Sequence, residues 1–80
     1  MARPEMLATM LPVFREVFDD QTLSITGATT ARDVDGWDSL THIRLMLAIE
    51  TAFGVRIRAN EAAKLENVGA LADLVERKLG

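Results

Sequence analysis

The chain has 80 residues, 49% of them hydrophobic and 26% charged, with no cysteine. That length holds one compact domain spanning 1–80, which buries only about 60% of the surface its unfolded chain exposes; a multi-domain enzyme is excluded and a deep catalytic cavity is disfavoured. Twelve acidic against nine basic residues give a formal charge of −3, which excludes a basic nucleic-acid groove, while the missing thiols exclude a disulfide framework and a thiolate metal site.

In chain order, Leu7, Met10, Leu11, Phe14, Val17 and Phe18 recur at helical spacing, predicting an amphipathic helix from about Pro4 to Phe18. Pro4 suits a first turn, where its missing N–H has no partner to lose. Pro12 cannot donate to the carbonyl of Ala8 and its ring crowds that turn, so the helix is expected to kink or divide there. The opening Met1-Ala2-Arg3-Pro4-Glu5 leads into an apolar run broken by Pro12 and Arg15. It is too short and too interrupted for a signal peptide or a membrane span, and the expectation is a soluble, cytoplasmic protein.

From Asp19 to Asp38 the composition turns to Asp, Thr, Ser and Gly without a sustained period, as in a long ordered connection. Leu23 and Ile25 alternate with polar residues. They read either as loop side chains anchored in a helical core or as a short strand pairing with Val55-Arg56-Ile57-Arg58. Thr30, three residues before Asp33, is placed to cap a single turn near Ala31 to Val34.

Asp38 is a good N-cap for a second helix from Ser39 to Phe53, a stretch free of Gly and Pro that Gly54 is placed to end. Asn60 is placed to cap a short third helix through about Leu65. Asn67 does the same for a fourth, in which Val68, Leu71, Ala72, Val75 and Leu79 form an apolar stripe while Asp73, Glu76, Arg77 and Lys78 face water. The fold class is all-α: three main helices, a short third one, and a long loop between the first two.

At 100° per residue, Leu45, Met46, Ile49, Ala52 and Phe53 share the core sector of the second helix. Leu40, Ile43 and Leu47 fall in a separate, roughly opposite sector, among Arg44, Glu50 and Thr51. Three clustered apolar residues with charges at the rim suit a protein docking surface; the alternative is that Leu40 and Ile43 pack under the long loop. Ser39 follows the cap, where free N–H groups and the helix dipole favour a negatively charged group such as a phosphate ester, although a serine there is commonly only part of the cap.

Ser39, His42 and Asp38 are residue types a hydrolase would use. The sequence offers neither an oxyanion hole nor a walled substrate site, and a three-residue helical spacing leaves Ser39 and His42 side by side on the surface. His42, the sole histidine, cannot build a metal site and is expected to support the loop, partly buried. The chain is read as non-catalytic. Trp37, the sole tryptophan, either packs the loop against the helix start or contacts what is bound there.

Asp38-Ser39-Leu40, preceded by Gly36-Trp37 and followed by His42-Ile43-Arg44-Leu45-Met46-Leu47-Ala48-Ile49-Glu50 and Phe53-Gly54-Val55, resembles the acyl carrier protein family over nearly the whole chain. The resemblance implies a four-helix bundle and 4′-phosphopantetheine esterified to Ser39 by a separate phosphopantetheinyl transferase, with Asp38 and Leu40 beside it. The arm's thiol would hold an acyl group as a thioester. It also implies partner docking through Leu40, Ile43, Arg44, Leu47, Glu50 and Thr51, with Arg56 and Ile57 beyond the helix. Expected partners are an acyltransferase or adenylating enzyme for loading and a ketosynthase or other acyl-processing enzyme downstream.

One departure from the family's usual pattern stands out: the second helix is not acidic. Arg44, Thr51 and Ala52 occupy it, Arg56 and Arg58 follow, and the acidic groups gather at Asp33, Asp35 and Asp38. The surroundings of Trp37 are similar to stand-alone carriers of polyketide and other secondary-metabolite pathways. The competing reading is an unmodified helical adaptor that holds a partner through Leu40, Ile43 and Leu47. A monomer is expected, since no heptad or second large apolar stripe calls for self-association.

Overall fold

The computed structural model describes residues 4–80; the first three residues of the N-terminal segment lie outside the described residues. The helices are α1 (Pro4–Phe18), α2 (Ser39–Phe53), α3 (Ala59–Ala63) and α4 (Val68–Leu79), with a 3₁₀ turn at Ala31–Asp33 inside the α1–α2 connection. No strand occurs among the described residues. Leu23, Ile25 and Ile57 instead lay their side chains, partly buried, against the helical core.

The core is made where α1 packs against α2 and α4. Met10 and Phe14 come from α1, Leu45, Met46 and Ile49 from α2, and Val68, Leu71, Ala72 and Val75 from α4. Burying each large apolar side chain contributes roughly 1.5–3 kcal/mol, and in a domain this small those few residues carry much of the stability.

α1 runs unbroken through Pro12, so the expected division does not occur. Pro12 and Ala8 both lie on the exposed side of the helix, where water can satisfy the carbonyl that the proline leaves unbonded. The helix ends at Asp19, whose φ of 50° takes the left-handed conformation while Asp20 N–H bonds back to the Arg15 carbonyl at 3.0 Å. The Arg15 guanidinium then donates to the Leu23 carbonyl at 2.9 Å and ties the connection to α1.

α3 begins two residues earlier than it would with Asn60 as its cap. The Glu61 carboxylate reaches back to the Arg58 N–H at 2.9 Å, so the cap comes from the third helical position and Arg58 stands at the N-cap. On α2, Ala52 is exposed and not part of the core. On α4, Leu79 is exposed while Leu74 is buried. Asp73, Glu76 and Lys78 are half-buried and do not all face water; Lys78 pairs with Glu61 at 2.9 Å, linking α4 to α3.

The long connection is fastened to the start of α4. Val68 N–H donates to the Thr29 carbonyl and Gly69 N–H to the Gly27 carbonyl, each at 2.8 Å, and Ala70 N–H donates to the Asn67 side chain at 2.8 Å. Three donors that a helix start leaves without partners are thereby filled. Only glycine fits at position 69, because a Cβ there would stand 2.7 Å from the Gly27 carbonyl oxygen.

Candidate functional site

The start of α2 is built differently. Asp38, in extended backbone, accepts from Thr41 N–H at 2.9 Å, and the Thr41 N–H and hydroxyl hold its carboxyl below the ordinary carboxylate value. No backbone carbonyl from elsewhere reaches this first turn among the described residues. Ser39 is exposed, and its hydroxyl makes no hydrogen bond among the described residues. Capping is done by Asp38, so the serine hydroxyl is left free beside the positive end of a fifteen-residue helix.

The approach to this turn is held by an aromatic cluster. Trp37 lies 5.8 Å from Phe14 and 5.6 Å from Phe18, centroid to centroid, fixing the loop to α1. Its indole N–H donates to His42 Nδ1 at 3.1 Å, and the two rings lie edge to edge, centroids 6.0 Å apart with 23° between their planes. His42 Nε2 lies 3.0 Å from the Ala62 carbonyl on α3. A carbonyl only accepts and an indole N–H only donates, so these partners assign the neutral imidazole with its proton on Nε2. His42 therefore supports the loop as expected, and Trp37 packs it; the Ala62 partner was missed, because a carbonyl acceptor leaves no trace in residue type.

A groove of about 610 Å³ opens beside Ser39, between α2 and α3. Ser39, His42, Ile43 and Met46 form one wall, Ala59, Ala62 and Ala63 the other, with Trp37 and Leu71 also lining it. A larger groove of about 790 Å³ between α3 and α4 is lined mainly by charged residues, among them Glu61, Lys64, Asp73 and Arg77, and does not reach Ser39.

On the sector of α2 that faces away from the core, Leu40, Ile43 and Leu47 are 59%, 58% and 58% exposed, so Leu40 and Ile43 do not pack under the loop. Arg44 and Thr51 are exposed with them, as is Arg56 beyond the helix. Glu50 and Ile57 are half-buried and bond to each other: the Glu50 carboxylate accepts from Ile57 N–H at 2.7 Å and braces the turn that follows Gly54. Gly54 itself takes the left-handed conformation, φ 67°, and its N–H returns to the Glu50 carbonyl.

Among the described residues no cluster of His, Asp and Glu could hold a metal ion, and no helix is long and apolar enough to cross a membrane. Ser39, His42 and Asp38 do not assemble into catalytic machinery, since His42 spends both ring nitrogens on Trp37 and Ala62 and Asp38 spends a carboxylate oxygen on Thr41.

Comparison with known proteins agrees with this geometry. Residues 8–75 match the family model described as "Phosphopantetheine attachment site". An acyl carrier protein of Thermotoga maritima is 27% identical over 79 residues, covering 99% of this chain and 98% of its own. The solution structure of a holo acyl carrier protein from Geobacter metallireducens superposes with a TM-score of 0.87 at 44% identity, over 92% of this chain and 85% of that one. These matches do not favour the unmodified adaptor. The chain belongs to the phosphopantetheine attachment family, as a non-catalytic acyl carrier on which partner enzymes act.

Proposed function

We propose that Ser39 is the residue that carries 4′-phosphopantetheine, and that the chain acts as one carrier domain over 1–80 in polyketide or other secondary-metabolite biosynthesis. The observation that supports this most is the serine hydroxyl itself, exposed on the first turn of α2 and free of internal bonds because Asp38 does the capping. An exposed seat at a helix N-terminus suits the arm's phosphate, and the adjoining groove gives the arm room to lie against the protein. When bound, the arm supplies a terminal thiol that holds acyl or extender units as thioesters. Tethering raises the effective concentration of one acyl group at each partner active site in turn.

Leu40, Ile43 and Leu47 form the apolar centre of the docking face in this reading, with Arg44, Thr51 and Arg56 around it and Glu50 and Ile57 at its margin. The secondary-metabolite assignment is supported by the charge pattern, with acids at Asp33, Asp35 and Asp38 before the serine and arginines at 44, 56 and 58 after it. Charge of that arrangement selects partners and sets encounter rates. The partners are a phosphopantetheinyl transferase, an acyltransferase or adenylating enzyme, and a ketosynthase or other acyl-processing enzyme, met by a cytoplasmic monomer.

Because the chain has no cysteine, thiol titration reads the arm directly. After incubation with coenzyme A, magnesium and a broad-specificity phosphopantetheinyl transferase, and removal of free coenzyme A, the protein is expected to show one thiol per chain and Ser39→Ala none. No thiol on the unaltered chain, under conditions that load a control carrier, overturns the assignment.

A further inference from the structure

α3 is the least anchored helix in the molecule. It has five residues, and the wall it presents to the groove beside Ser39 consists of alanines, at 59, 62 and 63. Alanine methyls are too short to set the distance between two helices by interlocking, as larger side chains do in the core. Polar ties of α3 to other helices include the Lys78–Glu61 pair toward α4 and the His42–Ala62 hydrogen bond toward α2.

His42 is more than a single tie. Its ring lies edge to edge with Trp37, the planes 23° apart, and is bonded at both nitrogens, to the Trp37 indole on one side and the Ala62 carbonyl on the other. Trp37 is in turn packed on Phe14 and Phe18 of α1. A rigid ring bonded at both ends works as a strut: it can neither shorten nor rotate without breaking a hydrogen bond in a partly buried place, where a broken bond is costly.

We propose that His42 is a positioning residue that sets the width of the α2–α3 groove, and thereby which acyl groups the carrier can shelter beside Ser39. This rests on the reading of Ser39 as the attachment residue. The groove that His42 spans is lined mainly by apolar side chains, as an alkyl chain requires. With the strut in place, the spacing of α3 is fixed by hydrogen-bond geometry and favours a chain that fits it; without the strut, α3 settles on its alanines or swings with the occupant.

The test charges the protein with acetyl or octanoyl arms, transferred whole from acetyl- and octanoyl-coenzyme A by a phosphopantetheinyl transferase, and compares thioester hydrolysis rates. Three chains are compared: the unaltered one, His42→Phe, which keeps a planar ring but neither hydrogen bond, and His42→Gln, which restores a donor and an acceptor. The octanoyl-to-acetyl rate ratio is expected to shift about three- to tenfold in His42→Phe, the range that loss of hydrogen bonds of ordinary strength allows. It is expected to return toward the unaltered value in His42→Gln. A general loosening of the fold would be shared by His42→Gln, so a ratio that shifts equally in both variants, or that does not shift in His42→Phe, overturns the proposal. Failure of the unaltered chain to accept either arm, seen by intact mass, would instead overturn the reading of Ser39.

Discussion

The starts of α2 and α4 pose the same physical problem and solve it in opposite ways. Each exposes backbone donors that the helix cannot satisfy, and each recruits an Asx side chain, Asp38 or Asn67, to accept from the third helical residue. At α4 the remaining donors are taken by the Thr29 and Gly27 carbonyls, and Gly69 lets that segment approach to contact. At α2 no loop carbonyl closes the turn, and the first helical residue is an exposed serine. One helix start is sealed for stability; the other is left open and presents a serine hydroxyl. Chemistry at the sealed end would have to displace the loop first, whereas the open end needs no rearrangement.

Substitutions can break this contrast from either side. The largest effect expected is on function at the open end: Ser39→Ala abolishes loading completely while changing unfolding free energy by no more than about 0.5 kcal/mol, as for a surface residue without partners. Intact mass and urea unfolding on the same preparation check both halves.

At the sealed end the sign reverses. Gly69→Ala places a methyl 2.7 Å from the Gly27 oxygen, and is expected to cost about 1–3 kcal/mol in urea unfolding, the usual range for forced overpacking, with loading retained. Asn67→Ala removes only the cap on Ala70 and is expected to cost about 1 kcal/mol. Loss of loading in either variant while the fold persists would show that the two helix starts are coupled and do not divide stability from function.

The smallest effect is a pH dependence at Asp38. Its carboxyl sits below its ordinary value of 3.8 because the Thr41 N–H and hydroxyl bond its charged form. A carboxylate lowered by folding contributes stability that is fully present above the ordinary value and is lost as the pH falls through the lower, folded value. Asp38→Asn keeps a cap but not the charge, so melting curves of the two chains should differ at neutral pH and converge on acidification. Asp20, held down by Thr22, and Glu61, held down first by Arg58 N–H and then by Lys78, lie on the same acid limb. The variant should therefore reduce the acid sensitivity without removing it. Divergence of the curves at low pH would contradict the sign.

Local signals were readable in the sequence, and nonlocal ones were not. Asp38, Gly54 and Asn67 mark their helix ends through side-chain type, and the structure places them at those ends. The outward placement of Leu40, Ile43 and Leu47 also follows from periodicity alone, as does that of Leu45, Met46 and Ile49 in the core. Pro12 misled because propensity is blind to which face of the helix the proline occupies. Asn60 misled at α3 because the cap there comes from Glu61, three residues after Arg58, reaching back to the Arg58 N–H. The Gly27–Gly69 clasp and the Ala62 end of the His42 strut were out of reach, because both depend on backbone carbonyls far away in the chain. A run of alanines at 59, 62 and 63 was the available hint that α3 borders open space.

Where a transferase places its group tests the open helix start most directly. The chain has two serines, Ser24 in the connection and Ser39 on the first turn of α2. After incubation with coenzyme A, magnesium and transferase, fragment-ion mass spectrometry should find one phosphopantetheine on the peptide containing Ser39 and none on that containing Ser24. A modification at Ser24, or an unmodified chain beside a fully loaded control carrier, would contradict Ser39 as the attachment residue.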